Sequence, residues 1–187
     1  MPIALVVVGA IVVVLGLFLI VTYNGLVSRR NQVKNAWSQI DVQLKRRHDL
    51  IPNLVNAVRG YMDFEQRVLE RVTSARAAAI AAGDNVAQRS AAENQLTSAL
   101  RSVFAVSEAY PELRASENMQ QLQEELSSTE NRVAYSRQHY NDAVMAYNTA
   151  RETFPAVLVS TPLGFSPAEL YQLDAAAPER AVPEVRF

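Results

Sequence analysis

The sequence predicts an all-α protein. An N-terminal transmembrane helix continues into a long antiparallel helical bundle, and an extended C-terminal arm follows. Three observations carry this. Residues 3–22, IALVVVGAIVVVLGLFLIVT, hold no charge. Residues 116–154 hold no Gly or Pro and repeat apolar or small residues at Met119, Leu122, Leu126, Thr129, Val133, Ser136, Tyr140, Val144, Tyr147 and Phe154. Those steps are mostly three or four, the seam of a helix buried along one face in the manner of a coiled coil. Finally, no segment reads as a strand. The division expected is 1–24 for the anchor, 25–155 for the bundle and 156–187 for the arm and a disordered tail.

The apolar run would be roughly 30 Å long as a helix, the thickness of a bilayer core. Ile3, Leu5, Val8, Ile11, Leu15, Phe18 and Ile20 are its membrane-spanning side chains. A cleavable signal peptide would have a basic start, a shorter apolar run and a small-residue cleavage site. None of these is present here. A soluble core helix would rarely be so uniformly apolar. The reading is therefore a single-pass anchor. Gly9 and Gly16 share one face, where helices can approach closely, though tolerance in a lipid-facing helix is the simpler account.

Orientation follows from the flanks. Arg29, Arg30 and Lys34 come just after the span, and Lys45, Arg46 and Arg47 follow. The positive-inside rule places the N-terminus outside and the bundle in the cytoplasm of a bacterial inner membrane. A single span can also be inserted the other way. Arg29 and Arg30 are placed to touch anionic headgroups. Tyr23 sits at the depth where aromatic rings anchor.

Leu26, Val33, Trp37, Ile40 and Leu44 continue a helical stripe, so the first helix runs out of the membrane as a stalk. Asp49 and Pro52 mark a boundary or kink, with Asp49 as cap and Pro52 in a new first turn. A second helix carries Leu54, Val58, Tyr61, Val68, Val72, Ala75 and Ala79 and ends near Ala81. Gly83-Asp84-Asn85 is a loop. A third helix covers residues 86–110, with Leu96, Leu100, Val103 and Val106 inward and Pro111 at its end. Residues 111–115 are a turn. Ser116 then caps the long helix, and Glu117 suits its dipole.

After Phe154-Pro155 the chain is apolar yet broken by Pro155, Pro162, Gly164 and Pro167. An extended arm with anchors Leu163, Phe165 and Tyr171 is expected to dock on its own bundle or on a neighbour. The tail over 174–187, rich in Ala, Pro and Glu, has the composition of a disordered segment.

Net charge is −1, which gives no case for nucleic-acid binding. Residues 1–76 nevertheless carry ten basic side chains against five acidic, and the remainder eight against fourteen. The two halves are expected to face each other within or between subunits, with an ordinary solvated surface as the competing account. The chain has no cysteine, so no disulfide framework exists and compartment cannot be read from redox chemistry.

No catalytic, cofactor or metal residues emerge. His48 and His139 lie on different helices without ligand spacing and read as surface histidines. No phosphate loop or nucleophile elbow occurs. Glu124, Glu125 and Glu130 match no E-x-x-H pattern of the di-iron bundles and read as a solvated face. Asn141 and Asn148 lie seven apart beside Tyr140, Val144 and Tyr147. With Asn31 and Asn53 near other seams, they are expected to set helix register within the bundle or between subunits. Trp37 is an expected core or interface anchor.

Two blocks resemble the LemA family of bacterial membrane-anchored proteins. One is YNGLVSRRNQVKNAWSQIDVQLKRRHDLIPNLVNAVRGYMDFE over 23–65, and the other SENMQQLQEELSSTENRVAYSRQHYNDAVMAYNTARETFP over 116–155. The GF-x-PAE-x-Y arm belongs to the same likeness, which covers essentially residues 1–172. The family ordinarily has His-Glu where this chain has Phe64-Glu65. The resemblance implies a helical bundle behind one N-terminal span and supplies no catalytic residues. It also implies links to membrane stress and to organelle-like membrane organisation. The expected function is a non-enzymatic membrane scaffold whose partners are the lipid bilayer and further copies of itself as a homo-oligomer. The alternative is an adaptor or sensor for another membrane protein, such as a protease or signalling component.

Overall fold

The computed structural model describes residues 2–60 and 66–172. Tyr61, Phe64-Glu65 and the tail over 174–187 lie outside the described residues. In chain order the helices are α1 (Pro2–Arg59), α2 (Gln66–Ala81), α3 (Val86–Ser107), α4 (Pro111–Ala115), α5 (Glu117–Glu152) and α6 (Val157–Ser160). No strand occurs among the described residues.

Helix α1 is unbroken over 58 residues, about 87 Å at 1.5 Å per residue. The boundary expected at Asp49 and Pro52 is absent, and Leu54 and Val58 belong to α1 rather than to the second helix. Pro52 has no N–H to offer the carbonyl of His48, four residues earlier. Arg76 of α2 supplies the donor instead, its Nε reaching the His48 carbonyl at 2.8 Å. Pro52 itself is exposed, while Ile51, Leu54, Val55 and Val58 around it are buried. Burying such side chains stabilises by about 1.5–3 kcal/mol each. Together they outweigh the roughly 3 kcal/mol that an interior proline costs.

Helices α2 and α3 form an antiparallel hairpin. Gly83 turns the loop with φ of 60°, a left-handed conformation that suits glycine. Asn85 caps α3, its Oδ1 accepting from the Gln88 N–H at 2.9 Å. Helix α3 ends at Ser107, short of the expected Tyr110, and Leu96, Leu100 and Val103 point into the core. Residues 111–115, expected as a turn, form one helical turn that buries Leu113. Ser116 occupies the N-cap position of α5, but its side chain makes no capping hydrogen bond.

Helix α5 lies antiparallel to α1. Leu26 packs near Tyr147, and Ile40 and Leu44 pack with Val133 and Tyr140. Beyond them, Ile51, Leu54 and Val58 join Leu69, Val72, Leu96, Leu100, Val103, Leu113, Met119 and Leu126. Three apolar clusters are thus strung along α1, starting at Leu26. Before Tyr23, whose ring meets Phe165, the helix is mostly exposed. Ile3, Leu5, Val8, Ile11, Leu15 and Ile20 are exposed and Phe18 half-buried. This is one helix long and apolar enough to cross a membrane, and none of its most apolar stretch is buried among the described residues.

Two expectations about the end of α5 are corrected. Phe154 does not close the seam. The helix stops at Glu152, and Phe154 is 74% exposed at a cis Phe154–Pro155 bond. Nor is the following segment extended from the start. Helix α6 and a turn come first, with Gly164 at φ of 77° and the Phe165 N–H bonded to the Ser160 carbonyl at 3.0 Å. Only residues 165–172 are extended, and they run back along α5.

Candidate functional site

The most built feature of the molecule is the seat of this arm. An extended segment makes no hydrogen bonds of its own, so the bundle must supply them. Asn148 grips both backbone polar groups of Ala168: its Nδ2 donates to the Ala168 carbonyl at 2.9 Å, and its Oδ1 accepts from the Ala168 N–H at 3.0 Å. Asn141 does the same to Tyr171, at 3.2 and 2.8 Å. The Tyr147 and Tyr140 hydroxyls donate to the Ser166 and Glu169 carbonyls, both at 2.8 Å. Arg151 Nε reaches the Phe165 carbonyl at 2.9 Å, and the Ser90 hydroxyl reaches that of Gln172 at 2.9 Å.

The spacing has a simple cause. Seven residues of α-helix rise about 10.5 Å, and three extended residues cover about 9–10 Å. A step of seven on α5 therefore matches a step of three on the arm, once from Asn148 to Asn141 and once from Tyr147 to Tyr140. The amides expected to set register between helices instead read out the arm's backbone. Asn31 and Asn53, expected near the seams of other helices, are exposed.

Side chains add to the backbone grip. Phe165 and Tyr171 are each 2% exposed. Phe165 meets the Tyr23 ring edge-on at 5.5 Å, with the Arg30 guanidinium 5.2 Å from its centroid. Arg30, expected at headgroups, is thus half-buried over an aromatic ring, while Arg29 remains exposed and donates to the Ala146 carbonyl at 3.4 Å. Tyr171 lies 6.3 Å from Trp37, which lies 5.4 Å from Tyr140. Arg89 and Arg137 cover the Trp37 and Tyr171 rings at 5.6 and 4.8 Å. Burial pushes the Tyr140 and Tyr171 hydroxyls above their usual range, so both stay protonated. Leu163, expected as a third anchor, is 42% exposed because it sits in the turn ahead of the extended stretch.

Behind the arm lies a buried ion cluster that sequence reasoning missed. Arg47 is fully buried. It pairs with Glu93 and, at 2.5 Å, with Glu130, and it donates to the Thr97 hydroxyl at 3.0 Å. His48 Nε2 meets the other Glu93 oxygen at 2.8 Å. His48 is therefore a buried partner and not a surface histidine, whereas His139 is exposed. Glu130 is part of this cluster rather than a free solvated carboxylate. Burial pulls the Arg47 pKa down, but the charges of Glu93 and Glu130 outweigh it and hold it above its ordinary value. For Glu93, burial pushes the pKa up, yet the His48 hydrogen bond and the Arg47 charge prevail and hold it below the carboxylate range.

Arg47 against Glu93 and Glu130 joins a residue of the basic half to two of the acidic half. The pair of Asp41 with Arg89 runs in the opposite sense. Among the described residues, no group of three or more acidic or histidine side chains is placed to hold a metal ion.

The family model of the LemA family matches residues 36–187. The chain belongs to the LemA family. The match begins inside α1 and takes in both the ion cluster and the arm. Among curated LemA-family relatives, Protein LemA of Metamycoplasma hominis is 25% identical over 149 residues, covering 80% of this chain and 68% of that protein. Magnetosome protein MamQ 2 of Paramagnetospirillum magneticum is 24% identical, covering 82% of this chain and 66% of that protein. Magnetosome protein MamQ of Magnetospirillum gryphiswaldense is 21% identical, with 82% and 65% covered. The chain thus spans about two thirds of the length of these LemA-family relatives.

Proposed function

We propose that this LemA-family protein is a non-enzymatic, membrane-anchored structural protein that assembles with copies of itself and organises the bacterial membrane. The observation that carries the reading is α1 itself. A bare apolar helix of membrane-crossing length continues without a break into the bundle. A bundle joined this way is held upright at the bilayer, and neighbouring copies meet side by side instead of tumbling on a linker. The relatives named as magnetosome proteins support a role in membrane organisation. The basic flank of Arg29, Arg30 and Lys34 favours a cytoplasmic bundle behind the inner membrane. Mass photometry of the full chain extracted in mild detergent tests the assembly. Species of several copies are expected, and a lone monomer at every concentration would refute self-assembly.

A second reading is an adaptor for another membrane protein. Its support is an open groove of about 540 Å³ at the far end of the α1–α5 pair, lined by Leu50, Asn53, Asn56, Asn118, Gln121 and Leu122. Crosslinking in cells separates the two readings. A ladder of homo-oligomers favours the scaffold, and one dominant heterologous product favours the adaptor.

A further inference from the structure

The segment over 153–168, TFPAVLVSTPLGFSPA, carries no charged side chain. It forms the lobe of α6 and the turn at Gly164. The lobe presents several large apolar side chains to the outside. Its Ser160 is buried, while Phe154, Val157, Leu158 and Leu163 are exposed, Leu158 at 66%. Its polar backbone is largely self-contained: the N–H groups of Val157, Leu158, Val159, Ser160, Leu163, Gly164 and Phe165 all bond within it, and Pro155 and Pro162 have none to satisfy. Apolar outside and bonded within is what a lipid environment demands.

Its position names the occupant of that surface. Leu26 of α1 packs with Tyr147 of the antiparallel α5. Helix α5 ends at Glu152, five residues beyond Tyr147 and so level with α1 about five residues before Leu26, near Val21. Val21 is inside the uncharged run over 3–22, and Phe154 lies beyond the helix end. Helix α6 follows Phe154 and packs against both α1 and α5. The chain then returns to the level of Tyr23, whose ring meets Phe165. The lobe therefore sits beside the last turns of the apolar span.

We propose that the α6 lobe is a second membrane contact. It enters the interfacial layer of the leaflet through which the span emerges, with Phe154, Leu158 and Leu163 against acyl chains. A single helix can rotate and tilt freely in a bilayer. A lobe inserted beside it fixes which face of the bundle each neighbour sees. The inference rests on the membrane-anchor reading.

The absence of cysteine makes the test direct. The full chain carrying Leu158→Cys is labelled with the environment-sensitive fluorophore NBD and reconstituted into phosphatidylcholine–phosphatidylglycerol vesicles with doxyl-labelled lipids. Val12→Cys reports the span, and Gln138→Cys, at an exposed site on α5, reports water. The expected result is blue-shifted emission at position 158 and quenching several-fold above position 138, strongest with the shallow doxyl label. Quenching at 12 but not at 158 would overturn the lobe while leaving the anchor intact. Failure at both would remove the anchor reading too. A blue shift at 158 without doxyl quenching means protein covers the lobe and also overturns the proposal. Phe154→Trp in a Trp37→Phe background, read with the same quenchers, keeps the test decisive if the label disturbs the fold.

Discussion

Arg76 donates its Nε proton to the carbonyl of His48 at 2.8 Å, the carbonyl that Pro52 leaves without a helical donor. One arginine on α2 thereby lets α1 pass through a proline, and it ties the α2–α3 hairpin to the stalk. Loss of a hydrogen bond to a charged group costs about 1.5–3 kcal/mol. Arg76→Met should therefore lower the thermal midpoint of the full chain in detergent. In a Pro52→Ala background the helix regains its own donor. The same Arg76 substitution should then cost clearly less, which a double-mutant cycle by circular dichroism measures.

Asn148 and Asn141 each bond both backbone polar groups of one arm residue, Ala168 and Tyr171. Asn148→Asp removes the donor and sets a carboxylate against the Ala168 carbonyl. At about 0.5–1.5 kcal/mol per hydrogen bond, plus the new repulsion, the arm should loosen while α5 stays helical. Hydrogen exchange should show faster exchange at Ala168 and Tyr171, with the amides of α5 near Val133 unchanged.

The bundle was legible because helix periodicity is a local signal. The seam from Met119 to Tyr147 and the apolar run before Tyr23 needed only spacing and composition. What the sequence did not disclose were partners that meet across the fold. Pro52 reads as a break until Arg76 is seen behind it. Asn141 and Asn148 read as helix-register amides, because the matching period of three lies in an arm with no secondary-structure signature. Arg47 and His48 sit in a run of basic residues that looks like a solvated face. Their acidic partner Glu93, on the mostly small and polar α3, is separated from Arg47 by 46 positions. The one available hint was that Arg47 falls three residues after the buried Leu44, on the same stripe.

The Arg47–Glu93 pair makes a sharp prediction about buried charge. Arg47→Met leaves Glu93 enclosed without its cation and should destabilise by about 3–5 kcal/mol. Arg47→Met combined with Glu93→Met removes both charges and should recover most of that loss, since well-packed apolar replacements of buried pairs are often neutral or better. Thermal unfolding of the two variants gives the comparison. An equal loss in both would show that the charges themselves contribute net stability.

Glu93 also fixes the sign of a pH dependence. Its folded pKa is depressed, so its contribution is fully present above the unfolded carboxylate value of about 4.3 and is lost as pH falls through the folded value. Wild type should exceed Glu93→Gln in stability at neutral pH, and the gap should narrow steadily below about pH 4.3. Melting curves of both proteins across that range check it. A gap that widens on acidification would contradict the ion-cluster geometry.

The proposed role is that of an upright, self-assembling post on a membrane. Electron microscopy of the full chain extracted in polymer nanodiscs would show it. Residues 23–59 of α1 should raise the bundle about 55 Å above the disc face, with several bundles standing side by side. Single bundles lying flat on the disc, or protein free of any disc, would rule out that role.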